Sequence, residues 1–396
     1  VSASTTRPEV RVAPRARRRL DGVHPWIFRD DVASDGGAAP GDLVRVLDDR
    51  GTARGIAFWS ARSKIALRRV TRRDVPVDAA FWDARIAEAL ARRGPEVEAW
   101  EARRLLFGES DGVPGLVADL YGAHLVVQAL TAGAERVLPT ILASLRARLP
   151  IESVLARNDP AVRTLEGLAR EVVQIEGTTP ATIEIDEAGV THLVDPWKGQ
   201  KTGAFLDQRE NRVVAGRLAR GRALDAFAYH ASFALHAAAG CTEVVVVDSS
   251  REALARGRAA AERNGRTNLT FVEAAAFDDL RARERAGERF DLVMIDPPAF
   301  AKSRADVPAA HRGYREINLR ALRLLAPNGV LVTSSCSANL DEAAFEEVLV
   351  EALRDSGRTA TVVARRGQAA DHPVLLGFPE SRYLKCFLLR EGGGAA

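Results

Sequence analysis

Residues 223–248 read ALDAFAYHASFALHAAAGCTEVVVVD. An apolar run at Ala223–Phe227, a helical stretch, Gly240 and a second apolar run at Val244–Asp248 spell strand, helix, strand. The pattern recurs downstream, with strand candidates at Leu269–Val272, Leu292–Asp296, Val330–Ser334, Thr361–Ala364 and Leu384–Leu389 and helices in the gaps. Such alternation predicts a doubly wound parallel sheet from about residue 190 onward. Ser249-x-x-Glu252 predicts a capping box, and Asn264-Gly265 a helix stop. A further helix is predicted over 340–356, with Phe345, Val348, Leu349 and Leu353 on one face and Gly357 after it.

In an open α/β sheet the ligand sits beyond the carboxyl ends of the strands. Four of those ends carry chemistry: Asp225, Asp248, Asp296-Pro297-Pro298-Ala299-Phe300 and Ser334-Ser335-Cys336-Ser337. A carboxylate at Asp248 is placed to accept hydrogen bonds from ribose hydroxyls. The loop after Phe227 has no glycine before Gly240, so the GxGxxG turn a dinucleotide needs is absent. S-adenosylmethionine carries no phosphate and fits a less Gly-rich loop. Two prolines stiffen the exit after Asp296 and aim its carboxylate toward a planar base. A thiolate at Cys336 would supply what carbon-5 of cytosine lacks: addition to carbon-6 raises electron density at carbon-5. The bland alternatives are a solvated Asp296 and a Cys336 that merely fills core. Cys241, after Gly240, and Cys386, inside the last strand pattern, read as core.

Upstream the chain changes character twice. Residues 1–75 read as short strands and turns. Leu43–Leu47 alternates, Asp48-Asp49-Arg50-Gly51 is hairpin chemistry, and Gly55–Trp59 and Ile65–Val70 complete a small β-barrel-like unit. Residues 76–190 read as α+β. Helices are predicted at 81–93 and 137–149, a hairpin at Leu116–Tyr121 and Leu125–Leu130, and strands at Ser153–Ala156 and Thr182–Ile185. This segment shows no catalytic constellation.

Composition bounds the rest. The 396 residues are 46% hydrophobic and 28% charged, which excludes wholesale disorder. No apolar run reaches the ~18 residues of a membrane span, and the Arg-rich first twenty residues do not form a secretory signal. Three scattered cysteines without a CxxC pair suit a reducing cytosol and exclude a disulfide framework; no metal site is expected. The first 75 residues hold 16 Lys+Arg against 9 Asp+Glu, the remainder 40 against 44. A basic head on an acidic body points to a polyanion. Arg18, Arg19, Arg62, Lys64, Arg68 and Arg69 are its candidate RNA-binding residues, while Trp26, Phe28, Phe58 and Trp59 read as core of the small β domain.

Together the motifs resemble a known family. Lys201-Thr202-Gly203-Ala204-Phe205-Leu206-Asp207-Gln208-Arg209-Glu210-Asn211-Arg212, Asp-Pro-Pro-x-Phe at 296–300, Ser-Cys-Ser at 335–337 and Gly22-Val23-His24-Pro25-Trp26-Ile27-Phe28 are similar to motifs of the bacterial 23S ribosomal RNA cytosine-5 methyltransferases. The resemblance spans essentially the whole chain. It implies an N-terminal PUA-like β barrel (1–75), a central α+β domain (76–190) and a C-terminal doubly wound Rossmann-like class I methyltransferase domain (191–396). By the same resemblance Cys336 would be the nucleophile and Asp296 would meet the target base. Phe205, Asp207, Gln208, Arg209, Asp225, Phe227, Tyr229, Ser232, Asp248, Ser249, Phe277, Asp296 and Pro297 would border S-adenosyl-L-methionine. The implied partner is RNA, specifically 23S rRNA, in the cytoplasm with no membrane, and a homodimer is compatible with it.

Two departures stand out. Ala231 replaces a family glycine, which closes space and disfavours a positive φ. Ala275 stands where an Asp is expected to meet the adenine amino group, with Asp278 three residues on. Two other readings stay open from sequence: methylation of a guanine nitrogen, which needs no cysteine, and RNA binding without catalysis.

Overall fold

The computed structural model describes residues 7–301 and 303–392; the Gly/Ala tail at 393–396 lies outside them. Two compact units emerge. The first runs to Ile185 and adds Val194–Leu206 and Ala370–Ser381; the second comprises Asp186–Leu193, Asp207–Ala369 and the chain from Arg382 on.

The first unit opens with strands β1 (Glu9–Val12), β2 (Trp26–Phe28), β3 (Val32–Ser34), β4 (Leu43–Leu47), β5 (Ala53–Trp59) and β6 (Ile65–Thr71). They form one sheet in the order β2-β6-β5-β4-β1-β3. Alternation in β4 turns Val44 and Val46 into a core with Val10, Val12 and Ile27. The β4–β5 turn closes as its residues dictate: Asp48 Oδ1 accepts the N–H groups of Arg50 (3.0 Å) and Thr52 (2.9 Å), and Gly51 takes φ 82°. β1 and β3, four and three residues long, are too short to show a period in the sequence.

A second sheet follows: β7 (Ala102–Phe107), β8 (Leu116–Tyr121), β9 (His124–Ala129), β10 (Ser153–Asn158) and β11 (Glu171–Glu176), in the order β11-β10-β9-β8-β7. Helices Ala79–Glu98 and Ala132–Arg146 cover one face through Trp82, Ile86, Ile141 and Leu145. The second helix starts earlier than its apolar period indicates, because the Thr131 side chain accepts the Ala134 N–H (3.2 Å) and caps it. A hairpin of β12 (Ile183–Glu187) and β13 (Val190–Val194) comes next.

The second unit is built on β14 (Gly221–Ala226), β15 (Cys241–Asp248), β16 (Leu269–Glu273), β17 (Phe290–Ile295), β18 (Leu325–Ser335), β19 (Ala360–Arg366) and β20 (Lys385–Glu391), ordered β16-β15-β14-β17-β18-β20-β19. All seven sequence-predicted strands are present. The sheet is not wholly parallel, however: β20 runs antiparallel to both β18 and β19. The residues joining β19 to β20 hold only the three-residue turn Pro379–Ser381 and no crossover helix, which a parallel return requires. Leu224, Val245, Val293 and Leu331 pack toward one helical layer, and Ala223, Val244, Met294 and Val332 toward the other. Burial on both faces explains why Val244–Val247 is continuously apolar.

One cap differs from expectation. Ser250, not Ser249, precedes the Arg251–Arg263 helix and accepts the Ala253 N–H (3.2 Å); its own N–H bonds Asp248 Oδ1 (2.8 Å). The Asp248 carboxylate claims the serine one step later than the Ser-x-x-Glu spacing predicts. Ser249 is left exposed outside the helix.

Candidate active site

The order reversal between β14 and β17 places the switch point of the sheet at their carboxyl ends. In register, Asp225 lies opposite Met294, Ala226 opposite Ile295, and Ile295 opposite Thr333. Asp225, Asp296 and the Ser335–Ser337 turn are therefore set along one edge, with Asp248 next to them at the end of β15.

The loop leaving β14 is tightly wound. Phe227, Tyr229 and Ala231 all have positive φ (62°, 50° and 64°). Ala231 thus keeps the left-handed backbone that its methyl group was expected to disfavour. The strain is held in place by packing: Ala231 is fully buried against Gly257, where an added Cβ would stand 3.1 Å from its own. Left-handed backbone costs an L-residue roughly 1–2 kcal/mol. Ala231→Gly is accordingly expected to raise stability by up to about 1 kcal/mol, less what the lost methyl contact contributes, in denaturant unfolding. An unchanged or lower stability would show that contact to dominate.

The wound loop directs its amides at carboxylates. Tyr229 N–H donates to Asp248 Oδ2 (2.8 Å), so both Asp248 oxygens are oriented by backbone N–H groups. Asp225 Oδ2 accepts the Ala234 N–H (2.9 Å). Its carboxyl is pushed up to about 8 by burial, reinforced by the charges of Asp296 and Asp248 and opposed by the Ala234 hydrogen bond. Phe227, Phe277 and Phe300 form an apolar wall with centroids 5.9–6.5 Å apart, and Tyr314 packs against Phe300 at 4.6 Å with the rings tilted by 40°. Ser232 is buried and bonds His230 Nδ1 (2.9 Å).

Three acids around a strand switch, beside an aromatic wall, suit a ligand with a cationic end, a ribose and a planar base. S-adenosylmethionine has all three. Its binding would favour ionised Asp225, so below pH 8 a proton must leave on binding. Affinity is expected to improve as pH rises from 6 toward 8, by at most about tenfold per unit, and then to level off. Calorimetry in wild type and Asp225→Asn checks this; the same pH dependence in both would remove Asp225 from the site.

Cys336 is partly exposed just past β18, with Sγ 3.9 Å from the Pro297 carbonyl oxygen. The turn around it is pinned from several sides. Ser337 Oγ accepts the Ala301 N–H (3.1 Å) and lies 3.0 Å from Tyr314 Oη, and the Ser337 N–H reaches Ser335 Oγ (3.4 Å). Lys385, opposite Ser335 in register, donates from Nζ to the carbonyl oxygens of Ser337 (2.7 Å) and Tyr383 (2.9 Å). It is buried, and among the described residues no carboxylate pairs with it. Burial pushes its ammonium down to about 8, against the pull of Cys336, Asp341 and Glu342. The other two thiols are pushed up by burial, Cys241 to about 11 and Cys386 to about 12.

The remaining candidates fall as follows. Asp207 accepts from Tyr383 Oη (2.6 Å), Gln208 from Asn211 Nδ2 (2.7 Å), and Arg209 is buried. Phe205 lies in the first unit under the Lys201 ammonium, 4.7 Å from its centroid. Ala275 sits before the Ala276–Arg285 helix with no side-chain cap, and Asp278 is engaged by Arg281 (3.3 Å). Of the basic residues, Arg18, Arg62 and Lys64 are exposed. Arg19 pairs with Asp31, Arg68 with Glu109 (2.7 Å), and Arg69 holds the carbonyl oxygens of Leu20 and Gly22 (3.2 Å each).

Sequence reading missed Lys385 and Tyr314. A lysine within the apolar Leu384–Leu389 run is a signal in hindsight; Tyr314 carries none. It also missed a buried group in which His236 Nε2 lies 2.9 Å and His192 Nε2 3.6 Å from Glu187 Oε1. Arg212 donates to both Glu187 oxygens (2.7 and 2.5 Å), so the carboxylate is already committed and the group ties β12–β13 to the Arg209–Leu218 helix.

Comparison with known proteins identifies the family and the fold. Residues 166–375 match the family of S-adenosylmethionine-dependent methyltransferases, and residues 10–72 match a PUA-like domain. A protein of Aeromonas salmonicida named ribosomal RNA large subunit methyltransferase I is 40% identical over 378 residues, covering 93% of this chain and 95% of that one. Its namesake from Klebsiella pneumoniae is 37% identical over 392 residues, covering 97% and 98%. The crystal structure of SMU.776 complexed with SAH, 22% identical, superposes with a TM-score of 0.83 over 97% of this chain and 100% of that one, which shows the shared fold. The chain belongs to the family of the ribosomal RNA large subunit methyltransferases I, S-adenosylmethionine-dependent methyltransferases with a PUA-like domain.

Proposed function

We propose that this protein methylates carbon-5 of a cytosine in large-subunit ribosomal RNA, with Cys336 as nucleophile and S-adenosylmethionine as methyl donor. One observation carries the reading. Of the three thiols, Cys336 alone is partly open, and it stands at the strand end beside Asp296-Pro297, next to a buried ammonium. The names of the close relatives support the RNA substrate.

Bound S-adenosylmethionine would supply an electrophilic methyl group on its sulfonium. The residues of the chain do the rest. Asp248 offers its free lone pairs to the ribose, and Phe277 walls the adenine. Asp225, Phe227, Tyr229 and Ser232 stand toward the methionine end, with Asp207, Gln208, Arg209 and Pro297 at the border. Ser249 is assigned to the pocket by family resemblance. Asp296 holds the cytosine edge. The Cys336 thiolate would add to carbon-6, and the C5=C6 electron pair would move to carbon-5 and take the methyl as its bond to the sulfonium sulfur breaks, leaving a neutral thioether. A base then takes the carbon-5 proton, the C5=C6 bond reforms, and the thiolate leaves. Lys385 holds the turn and favours the thiolate by its charge.

Nucleoside mass spectrometry of ribosomal RNA transcripts treated with the protein and S-adenosylmethionine tests the product. 5-Methylcytidine is expected; a methylguanosine in its place overturns the reading.

A further inference from the structure

The first unit contains a cleft of about 550 Å³ ringed by five guanidinium groups, Arg69, Arg72, Arg73, Arg85 and Arg92. Its two carboxylates are already engaged. Glu109 Oε1 accepts from Arg68 (2.7 Å) and Trp26 Nε1 (2.6 Å), and Asp111 accepts from Arg92 (2.7 Å) and Arg93 (2.6 Å). Arg69 and Arg72 are fixed by the backbone carbonyls at the end of the Arg17–Asp21 helix. Arg73 and Arg85 are different: neither side chain pairs with a carboxylate among the described residues. Arg85 is half-buried, 5.2 Å over the Phe81 ring. Gly112, at φ 69°, leaves room for it, since a Cβ there would stand 2.5 Å from Arg85 Nη1. The opposite lip is apolar: Val23 and Val374 are 57% and 50% exposed.

Like charges gathered in a concave, partly buried place repel one another unless an anion joins them. Burial and the neighbouring guanidinium charges act in the same direction on two of these groups. Arg69 is pushed down to about 10 by burial and by the charges of Arg72 and Arg54, and Arg85 is lowered by burial and by Arg92 and Arg73 against Glu88. Planar forks suit phosphate oxygens, and an apolar lip suits a base face.

We infer that this cleft grips the sugar–phosphate backbone of the RNA substrate, with Arg73 and Arg85 on adjacent phosphates of a single-stranded stretch and a base against Val23 and Val374. The inference rests on the RNA reading above. It assigns the grip to Arg73 and Arg85, which sequence did not single out; of those it did, Arg19, Arg68 and Arg69 are spent on intramolecular bonds, Arg69 at the rim of the same cleft.

The test uses the full-length protein and a ribosomal RNA transcript, with fluorescence anisotropy across a salt series. Arg73→Gln/Arg85→Gln is expected to weaken RNA binding about tenfold or more and to flatten the slope of log K against log salt by about 1.4, for two single-strand phosphates. S-adenosylmethionine affinity should stay unchanged. Arg73→Gln alone, an exposed side chain with no hydrogen bond, should give about half the slope change without risk to folding. Arg354→Gln, on an exposed helix face of the other unit, serves as charge control. Equal RNA affinity and slope in wild type and double variant would overturn the cleft while leaving the methylation reading intact. Complete competition by millimolar inorganic phosphate at constant ionic strength would also overturn it, by marking a small-anion site. A wild type that binds no RNA would sink both readings.

Discussion

Replacing Cys336 with Ala is expected to abolish methyl transfer, by about 10⁴-fold or more, while leaving S-adenosylmethionine binding within a factor of two. Loss of a nucleophile that acts as a unit with its partners has this scale. The groups proposed to hold the ligand, Asp225, Asp248 and the Phe227–Phe277 wall, do not depend on the thiol, so binding should survive. The variant should also fold, because Cys336 is partly exposed and its turn is also held through Ser335, Ser337, Tyr314 and Lys385. Transfer of tritiated methyl to a ribosomal RNA transcript reads the first quantity and calorimetry the second. A transcript carrying 5-fluorocytidine gives a second readout. Fluorine at carbon-5 cannot leave as a proton would, so the wild-type adduct should persist through denaturing electrophoresis and be absent in the variant. Full methylation by Cys336→Ala would exclude covalent activation and favour transfer to a base nitrogen.

How far the sequence carried this picture depended on the range of the forces involved. Local periodicity made every strand of the second unit legible, because Val244–Val247 or Leu292–Ile295 must be apolar on both faces wherever they pack. Strand direction was not equally legible: β20 looks like any other apolar run, and only its pairing with β18 and β19 shows that it is antiparallel. The positions of Asp225, Asp248, Asp296 and Cys336 at or just beyond strand ends were legible because strand ends are predictable. The backbone of the first loop was not. Three non-glycine residues with positive φ in five positions violate local preference, and tertiary packing at Gly257 overrides it. Charge was read least well. Arg68 and Arg69 are among the most cationic-looking residues of the head, yet both are buried and bonded. Arg85, unremarked inside a helical run, faces an open cleft. Ion pairing across 41 residues, as between Arg68 and Glu109, leaves no local trace.

The same limit hid Lys385, whose replacement should have the second largest effect. A buried ammonium without a carboxylate partner is costly, and it persists where something nearby gains from its charge. Here the neighbouring group is Cys336, and the interaction is reciprocal: a thiolate holds the lysine protonated, and a protonated lysine lowers the thiol pKa. Lys385→Met keeps the length and apolar stem of the side chain but removes the charge. The acid limb of the methylation rate, and of Cys336 alkylation by iodoacetamide, should move to higher pH by about one to two units, with a 10- to 100-fold slower rate at pH 7. On the alkaline side the difference disappears. Lys385 titrates near 8, so in wild type its help fades above that pH, and the two proteins should converge there. Lys385→Arg, which retains a charge, should restore part of the shift. Alkylation does not require that cytosine be the substrate, so it isolates the electrostatic claim from the proposed reaction. Parallel pH profiles differing only by a constant factor would mean that Lys385 merely braces the turn through Ser337 and Tyr383.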